Sequence, residues 1–267
     1  MSAIETIGIQ ATAPGAGGAG AAFSGNSLTI RDNPKSAYII DCWQRRQAAG
    51  FTRLVSPLMH DTTVGMTWRG PVQIARGPRG WNQPVYAQDT LTATLSGSAT
   101  AGDIEQSFVT VFYDDLPGVA GRFISASELE KRAEAIYGFS ATLALGTAGG
   151  WSGEETIIAE QDQLKANRDY AWIGLTGSVG AGAYRMLGVD TGNLGIAMPA
   201  EGDLVGNGLD LSNYWPSLST FLGNWPVIPV INSSNKSLTN QTGATDENGV
   251  DSVAVVLFAL LSKVSKK

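Results

Sequence analysis

The amino-acid sequence repeats one ordered set of local patterns in its two halves. A tyrosine precedes an arginine by 15 residues in each half, as Tyr38 with Arg53 and Tyr170 with Arg185. Three further matches follow in the same order: 61–66 with 190–196, 81–85 with 225–230, and 107–113 with 252–258. A repeat of this length exceeds a solenoid unit and has the size of a domain. The pattern therefore predicts two related β-domains in tandem.

Both copies consist of short runs rich in β-branched and aromatic residues, separated by Gly, Pro, Asn and Asp, as expected for short strands with tight turns. Predicted strands lie at 28–30, 37–40, 51–55, 64–68, 91–95 and 108–113, and again at 156–158, 170–175, 183–187, 194–198, 227–231 and 253–260. About 115 residues per copy accommodate eight strands of about six residues. The predicted fold class is all-β: two tandem jelly-roll β-barrels joined by a short helix, with a flexible N-terminal arm.

Two segments mark the domain organisation. Small residues dominate the N-terminal segment around Pro14–Gly20, which offers little side chain to bury and favours a flexible arm that orders against a neighbouring subunit. A helix is predicted over 125–138, with Ser127 and Glu130 at capping-box spacing and Gly138 at its C-terminal end. The predicted boundaries are 1–27 for the arm, 28–120 for the first jelly roll, 121–150 for the helical linker and 151–267 for the second jelly roll.

The second copy is longer than the first. The offset between matching residues grows from 132 at the tyrosines to 145 at Ser107 and Ser252, which leaves about 13 extra residues in copy two. Residues 211–222 lie inside the lengthened interval and form a second predicted helix, with Pro216 near its first turn.

Composition narrows the function classes. Charged residues make up 16% of the chain and the net charge is −6, without the basic stripe that a phosphate backbone needs, so no specific nucleic-acid binding is expected. The single cysteine, Cys42, lies in an apolar run and is expected to be a buried small side chain. The N-terminus lacks the pattern of a signal peptide. Together these features predict a soluble chain made in a reducing compartment.

Catalytic, cofactor and metal sites are not predicted. His60 is the only histidine, too few for a metal-binding double barrel, and no Gly-x-Ser-x-Gly elbow accompanies it. The glycines of 15–20 match a dinucleotide fingerprint formally, but they follow no buried strand. The adjacent carboxylates of 114–115 and 154–155 point to opposite faces in a strand and do not converge across a cleft. We therefore expect a protein that is not an enzyme.

The seven tryptophans divide by context. Some have aliphatic strand neighbours and are expected in cores: Trp43, Trp68, Trp172 and Trp225. Others stand in Gly- or Pro-rich surroundings and are candidates for interfaces: Trp81, Trp151 and Trp215. The alternative role for the seven tryptophans is to stack exposed rings on a bound sugar.

A chain with a small-residue arm, two tandem jelly rolls, a short joining helix and no catalytic constellation resembles the double-jelly-roll major capsid proteins of tailless, membrane-containing icosahedral bacteriophages. The resemblance covers the architecture of nearly the whole chain and rests on no short diagnostic motif. It implies homotrimers that form pseudo-hexagonal capsomers of an icosahedral shell, above an internal membrane. Implied partners are neighbouring capsomers and minor capsid or membrane proteins beneath the shell. The implied location is the virion capsid, after assembly in the host cytoplasm.

Two other classes remain open from the sequence. A carbohydrate- or receptor-binding β-sandwich protein of a virion, such as a spike, would expose tryptophan and tyrosine rings in one groove. An enzyme on a β-sandwich would need converging carboxylates, which the sequence does not mark.

Overall fold

The structure is a computed structural model that describes residues 2–12, 22–46, 50–58, 65–70, 73–76, 83–96, 104–119, 121–144, 155–156, 164–176, 183–187, 195–199, 211–234, 239–243 and 251–263. The chain divides into two compact units. We call Thr6–Pro117 the N-terminal roll, and Gly118–Lys267 together with Met1–Glu5 the C-terminal roll.

The N-terminal roll is built from nine strands in two antiparallel sheets, and the first of these strands begins within Met1–Glu5 and continues past Thr6. They are β1 (Ala3–Thr12), β2 (Ala22–Thr29), β3 (Ser36–Arg46), β4 (Gly50–Val55), β5 (Met66–Gly70), β6 (Gln73–Arg76), β7 (Gln83–Val85), β8 (Thr90–Ser96) and β9 (Ile104–Asp114). One sheet has the order β1-β9-β3-β6 and the other β2-β8-β4-β5. Strands β6 and β7 pair with successive parts of β3, so together they fill one position in the sheet.

The C-terminal roll combines nine strands with two short helices. They are β10 (Phe123–Ile124), α1 (Ala126–Arg132), β11 (Ala133–Ala144), β12 (Glu155–Thr156), β13 (Asp169–Thr176), β14 (Ala183–Leu187), β15 (Ile196–Pro199), α2 (Tyr214–Phe221), β16 (Ile228–Asn232), β17 (Thr239–Gly243) and β18 (Asp251–Leu261). One sheet has the order β10-β16-β13-β18-β11 and the other β12-β17-β14-β15.

Both rolls have the strand order of a jelly roll. When the main strands of each roll are numbered one to eight along the chain, one sheet has the order one-eight-three-six and the other two-seven-four-five. The small β10 adds an edge strand to this plan in the C-terminal roll. The predicted all-β, jelly-roll-like fold class is confirmed by this arrangement.

The repeat detected in the sequence corresponds to equivalent positions in the two rolls. Leu54 pairs with Met66 in one hairpin, and Met186 pairs with Ile196 in the other. The preceding Arg53 and Arg185 therefore occupy the same register position of the fourth strand, as predicted. The glycines before the fifth strands also match, because a Cβ on Gly65 would collide with the Leu54 carbonyl oxygen and one on Gly195 with the Arg185 side chain.

The sequence alignment of the closing strands is wrong by three residues. Tyr38 pairs with Phe112, and Tyr170 pairs with Leu260, so the equivalent closing positions are 148 residues apart rather than 145. Each third strand carries a bulge next to its tyrosine, between Ile39 and Asp41 in β3 and between Trp172 and Gly174 in β13. A serine match within such β-rich runs carries too little information to fix register, which the paired backbones determine instead.

The predicted flexible arm over 1–27 is corrected for its described residues, 2–12 and 22–27. Residues 3–12 form β1, which pairs with β9, and residues 22–29 form β2, which pairs with β8. Ala3 and Ile4 are fully buried, and the Thr6 hydroxyl lies 3.1 Å from that of Thr110. Glycine suits position 8 because β1 approaches β9 closely there: a Cβ on Gly8 would lie 3.2 Å from the Phe108 ring.

The predicted linker over 121–150 is also corrected. The helix covers only Ala126–Arg132, and its N-cap is Ser125, whose hydroxyl accepts from the Glu128 amide, rather than the predicted Ser127. The chain then continues directly into β11, where Gly138 is a strand residue and not a helix terminus. Strand structure prevails because the Tyr137 and Phe139 rings stack with centroids 6.4 Å apart and Phe139 enters the core beside Phe258.

The second predicted helix is present and occupies the long connection between β15 and β16. A 3₁₀ turn at Leu211–Asn213 leads into α2, with Pro216 in its first turn. The 3₁₀ turn lies on β13 at Gly174, where a Cβ would come within 2.1 Å of the Leu211 carbonyl oxygen. Glycine at this position therefore lets the insertion pack on the sheet.

Aromatic rings fill the core of the C-terminal roll. Trp172 on β13 contacts Tyr184 on the opposite sheet and Trp215 of α2, with ring centroids 6.0 and 5.4 Å apart. Phe258 pairs with Trp172 across the strands and is almost fully buried. As predicted, β9 and β18 are central in their sheets. Burial of both faces holds from Phe258 to Leu261, but Val255 and Leu257 are only half-buried.

We expect truncation of Phe258 to alanine to lower the free energy of unfolding of the C-terminal roll by about 3–5 kcal/mol, because it removes a core ring and leaves a cavity. Denaturant unfolding followed by tryptophan fluorescence measures this loss. The neighbouring change Leu257→Ala is the matched control, since Leu257 points to the other face and is half-buried, and it should cost clearly less. Equal losses for the two variants would contradict the assignment of faces.

Candidate functional site

The residues that sequence analysis examined for chemistry do not form a site among the described residues. Cys42 is fully buried, and this burial, with the charge of Asp41, raises the pKa of its thiol, as suits a core residue. Asp114 lies 3.9 Å from the exposed Lys35 ammonium, and Asp115 is a surface residue. His60, the glycines of 15–20 and Glu154 lie outside the described residues. Within the described part of the chain, no three His, Cys, Asp or Glu residues are close enough to hold a metal ion.

The tryptophans expected in cores lie there, with one exception. Trp43, Trp68 and Trp172 are buried, whereas Trp225 is half-buried. Trp215 was predicted at an interface, and the structure buries it fully between α2 and β13 because its ring packs on Trp172 and Tyr214. Trp81 and Trp151 lie outside the described residues.

An apolar surface on the C-terminal roll is the strongest candidate for a functional surface. Phe258 and Phe139 point inward, so their neighbours along β18 and β11 point outward. Ile136 has 66% of its surface exposed, and Gly138 next to it is also exposed. A Cβ on Gly138 would lie 3.0 Å from Val255 Cγ1 and 3.5 Å from Leu257 Cδ2, so these side chains flank the glycine on one face. We call Ile136, Gly138, Val255 and Leu257 the outer patch.

The outer patch reaches an open edge of the sheet. Strand β11 ends the order β10-β16-β13-β18-β11 and, among the described residues, pairs only with β18. Residues 133–136 are all exposed. Edge strands present a row of backbone donors and acceptors that can pair with another strand. The patch and the edge therefore form one continuous surface that combines apolar side chains with backbone hydrogen-bonding groups.

Ion pairs and backbone hydrogen bonds hold the start of β11 in place. Arg168 Nη2 donates to Glu134 Oε2 and to the Leu261 carbonyl oxygen, both at 2.7 Å. The Arg132 carbonyl accepts from the Ser262 amide at 2.7 Å. Strand β11 is thereby fixed to the ends of β13 and β18, so its outer edge is presented on a rigid support.

A groove of about 420 Å³ lies elsewhere on the C-terminal roll. It is lined by Ser2, Gly121, Arg122, Phe123, Ile124, Glu128, Arg132, Pro226 and Val230. Arg122 makes a bidentate pair with Asp169 at 2.8 and 2.6 Å, and Arg132 donates to Glu128 at 2.6 Å. Both guanidinium groups thus have carboxylate partners: Arg122, just before β10, is held to Asp169 of β13, and the Arg132–Glu128 pair lies within α1. The arrangement explains the groove as a structural junction rather than a charged binding site.

The helices α1 and α2 are joined by a polar clamp next to this groove. The Ser127 amide donates to Asn224 Oδ1 at 2.9 Å, and Asn224 Nδ2 donates to the Ser127 hydroxyl at 2.6 Å. The Ala126 amide donates to the Ser219 hydroxyl, which in turn donates to the Trp225 carbonyl oxygen. These contacts seat α1 against the insertion. Neither helix has the length and apolarity needed to cross a bilayer, within the described part of the chain.

Sequence reasoning missed the outer patch. The segment 125–138 was interpreted as one helix, which concealed the alternation of Ile136 and Gly138 outward with Tyr137 and Phe139 inward. That period of two was the available signal. The continuous apolar run from Val255 to Phe258 also favoured burial on both faces, whereas the structure leaves its outward members half-buried.

Comparison with solved structures gives distant likenesses. The chain is similar to PBSX exported protein XepA, with 7% identity, a TM-score of 0.28, and coverage of 96% of this chain and 86% of that one. It is also similar to the major capsid protein P2 from bacteriophage PM2, with 10% identity, a TM-score of 0.23, and 99% coverage of both chains. No protein-family model and no curated protein matches. At these TM-scores neither likeness carries an argument, and the fold assignment rests on the strand orders above.

The Arg122–Asp169 pair makes a prediction about acid stability. Hydrogen bonds from Arg122, and a further one from Asn232, hold the pKa of Asp169 below its ordinary value, against the opposing effect of burial. A lowered folded-state pKa stabilises the fold above the unfolded pKa of about 4, and this contribution is lost as pH falls through the folded pKa. We expect Asp169→Asn to cost about 1 kcal/mol at pH 7, discounted because Arg122 is half-exposed.

Chemical unfolding of wild type and Asp169→Asn at pH 7 and in acid measures this effect, and the difference between them should shrink in acid. Lys35→Met is the matched control, because its ion pair with Asp114 is long and exposed and should contribute little at either pH. A cost of Asp169→Asn that stays constant with pH would contradict the electrostatic role.

Proposed function

We propose that the chain is a structural major capsid protein, which trimerises into pseudo-hexagonal capsomers of an icosahedral bacteriophage shell. The observation that carries this proposal is the presence, in one chain, of two rolls with the same strand order and equivalent hairpin positions. Three such chains around a threefold axis present six similar sides. A six-sided building block fits beside identical blocks in a closed shell.

The surface properties support assembly over catalysis. The described part of the C-terminal roll combines an apolar outer patch with a long open strand edge, and both features favour contact with protein. Interfaces of this kind gain free energy from buried apolar area and from completed backbone hydrogen bonds. We further propose the virion as the location, assembly in the host cytoplasm, no enzymatic activity and no specific nucleic-acid binding. Neighbouring capsomers and minor capsid or membrane proteins beneath the shell are the proposed partners.

The carbohydrate- or receptor-binding alternative depends on exposed aromatic rings in a groove. Trp43, Trp68, Trp172 and Trp215 are buried and are unavailable for stacking on a sugar. The observed positions of these four rings therefore favour the structural role.

The proposal is tested with the purified full-length protein, in the absence of any other virion protein. Sedimentation velocity should show a species with three times the chain mass, and negative-stain electron microscopy should show particles with a hexagonal outline and, at higher concentration, closed shells. A chain that stays monomeric across the concentration range would overturn the capsid assignment. Binding in a glycan array by an isolated oligomer that forms no shells would favour the receptor-binding alternative.

Because the N-terminal segment forms strands, its deletion is expected to affect folding and not only assembly. Removal of residues 1–26 would delete β1 and most of β2, two strands of the N-terminal roll. We expect that truncation to prevent cooperative folding of this roll, measured as loss of its share of unfolding enthalpy in calorimetry, because β9 and β8 would each lose a strand partner. A truncated chain with unchanged unfolding would contradict the structural role of β1.

A further inference from the structure

We propose that the β11 edge of the C-terminal roll pairs with the β11 edge of a second copy of this chain, antiparallel and about a twofold axis. The pairing would continue the sheet β10-β16-β13-β18-β11 into its copy and join the two outer patches. This inference deepens the proposed function, on which its biological meaning rests, by naming one contact between subunits. A twofold contact would connect two threefold capsomers rather than build one.

From Ile136 onward, the edge of β11 lacks the usual protection against pairing, whereas its start carries both a bulge between Ala133 and Ala135 and the charge of Glu134. Proteins keep exposed edges from pairing by making them short, or by placing Pro, Lys or other charges on them. Strand β11 has 12 residues, contains neither Pro nor Lys, and carries one charged residue, Glu134, near its beginning. The other edges of this roll among the described residues are shorter: β10 and β12 have two residues each, and β15 has four and ends at Pro199.

The outer patch supplies apolar area beside this edge. Ile136 is the most exposed of the large hydrophobic side chains in the described part of the chain, and it stands on β11 itself. Val255 and Leu257 lie one strand inward on the same face. A strand added to the edge would cover the flank of Ile136 and extend the apolar surface.

The side chains of β11 favour its own copy as the occupant. In an antiparallel pair, opposite residues share a face, so the register must match inward with inward positions. Pairing centred on Gly138 places Tyr137 opposite the partner's Phe139, which are both inward-facing aromatic residues. Cross-strand aromatic pairs stabilise sheets. The stack of Tyr137 and Phe139 within one chain would then continue across the interface.

Charge also selects the antiparallel arrangement. In the register centred on Gly138, the two Glu134 residues lie at opposite ends of the ladder, roughly 25 Å apart at about 3.4 Å per residue, beyond the Debye length in physiological salt. A parallel, in-register copy would instead place the two glutamates about 5 Å apart. Because the other edge of each β11 pairs with its own β18, a parallel copy would also have to turn its sheet over, so that the inward face of one copy would continue the outward face of the other.

The test uses the full chain with Ile136→Lys, which adds a charge to the edge at an already exposed position. The matched control is Phe221→Lys, since Phe221 is exposed to a similar degree at the end of α2 and stands off the outer patch. Sedimentation velocity over a concentration series measures association. We expect Ile136→Lys to weaken the twofold association at least about 100-fold, because symmetry places the change twice in one interface, and Phe221→Lys to leave it unchanged.

Hydrogen exchange locates the contact within the chain, which sedimentation velocity does not. In wild type above the association concentration, the backbone amides of residues 136–142 that face away from β18 should become protected, and in Ile136→Lys they should exchange freely. Circular dichroism and thermal unfolding of both variants should match wild type, because neither side chain is buried. Unprotected outer amides in an associated wild type, or equal association of Ile136→Lys and wild type, would overturn the inference.

These outcomes separate the inference from the proposed function. Shells that form normally with Ile136→Lys would overturn the β11 contact and leave the capsid role intact. A wild-type chain that forms dimers with protected β11 amides, yet never trimers or shells, would support the contact and overturn the capsid role.

Discussion

The pairing of the third and closing strands is the constraint on which the rest of each roll depends. In the N-terminal roll β3 pairs with β9 over nearly its whole length, and in the C-terminal roll β13 pairs with β18. Each ladder brings together residues far apart in sequence, so it closes a long loop and costs chain entropy that only a buried, aromatic interior offsets. The bulge beside Tyr38 and Tyr170 recurs in both ladders, which indicates that the local twist it introduces is part of the common plan.

The two rolls differ in what packs beside the central ladder. In the C-terminal roll, a 3₁₀ turn and α2 fill the space beside β13, and Gly174 permits the close approach of the turn. Trp172 and Trp215 then join the sheet core to the insertion. The insertion covers the β13 side of the sheet, whereas the outward side chains on β18 and β11 remain partly exposed. The insertion therefore supplies the extra core of this roll.

Sequence patterns predicted the parts of the fold that local chemistry controls. The Tyr–Arg spacing identified equivalent third and fourth strands, and the apolar closing runs identified central strands. The strand register was harder to predict from the sequence, because it depends on backbone pairing. The predicted match of Ser107 with Ser252 is an example, since these two serines are not equivalent. The N-terminal strands were missed because the Ala- and Gly-rich run of 13–22 decided the interpretation of the whole segment, although Ile4, Ile7 and Ile9 of β1 have high strand propensity. The outer patch was hidden by capping-box spacing at Ser127 and Glu130, although Ser125 caps a much shorter helix.

The edge of β11 shows how stability and association compete in such a chain. A lysine at position 136 would protect the edge at no cost to the core, since the position is exposed, yet the chain has isoleucine there. An unprotected long edge is a liability for a protein that works as a monomer, because it invites pairing with any free strand. For a protein that works as an assembly, the same edge becomes useful if its pairing closes on itself. The end position of Glu134 favours antiparallel pairing, and the inner edge of each β11 is already occupied by β18, so the pairing closes after two copies.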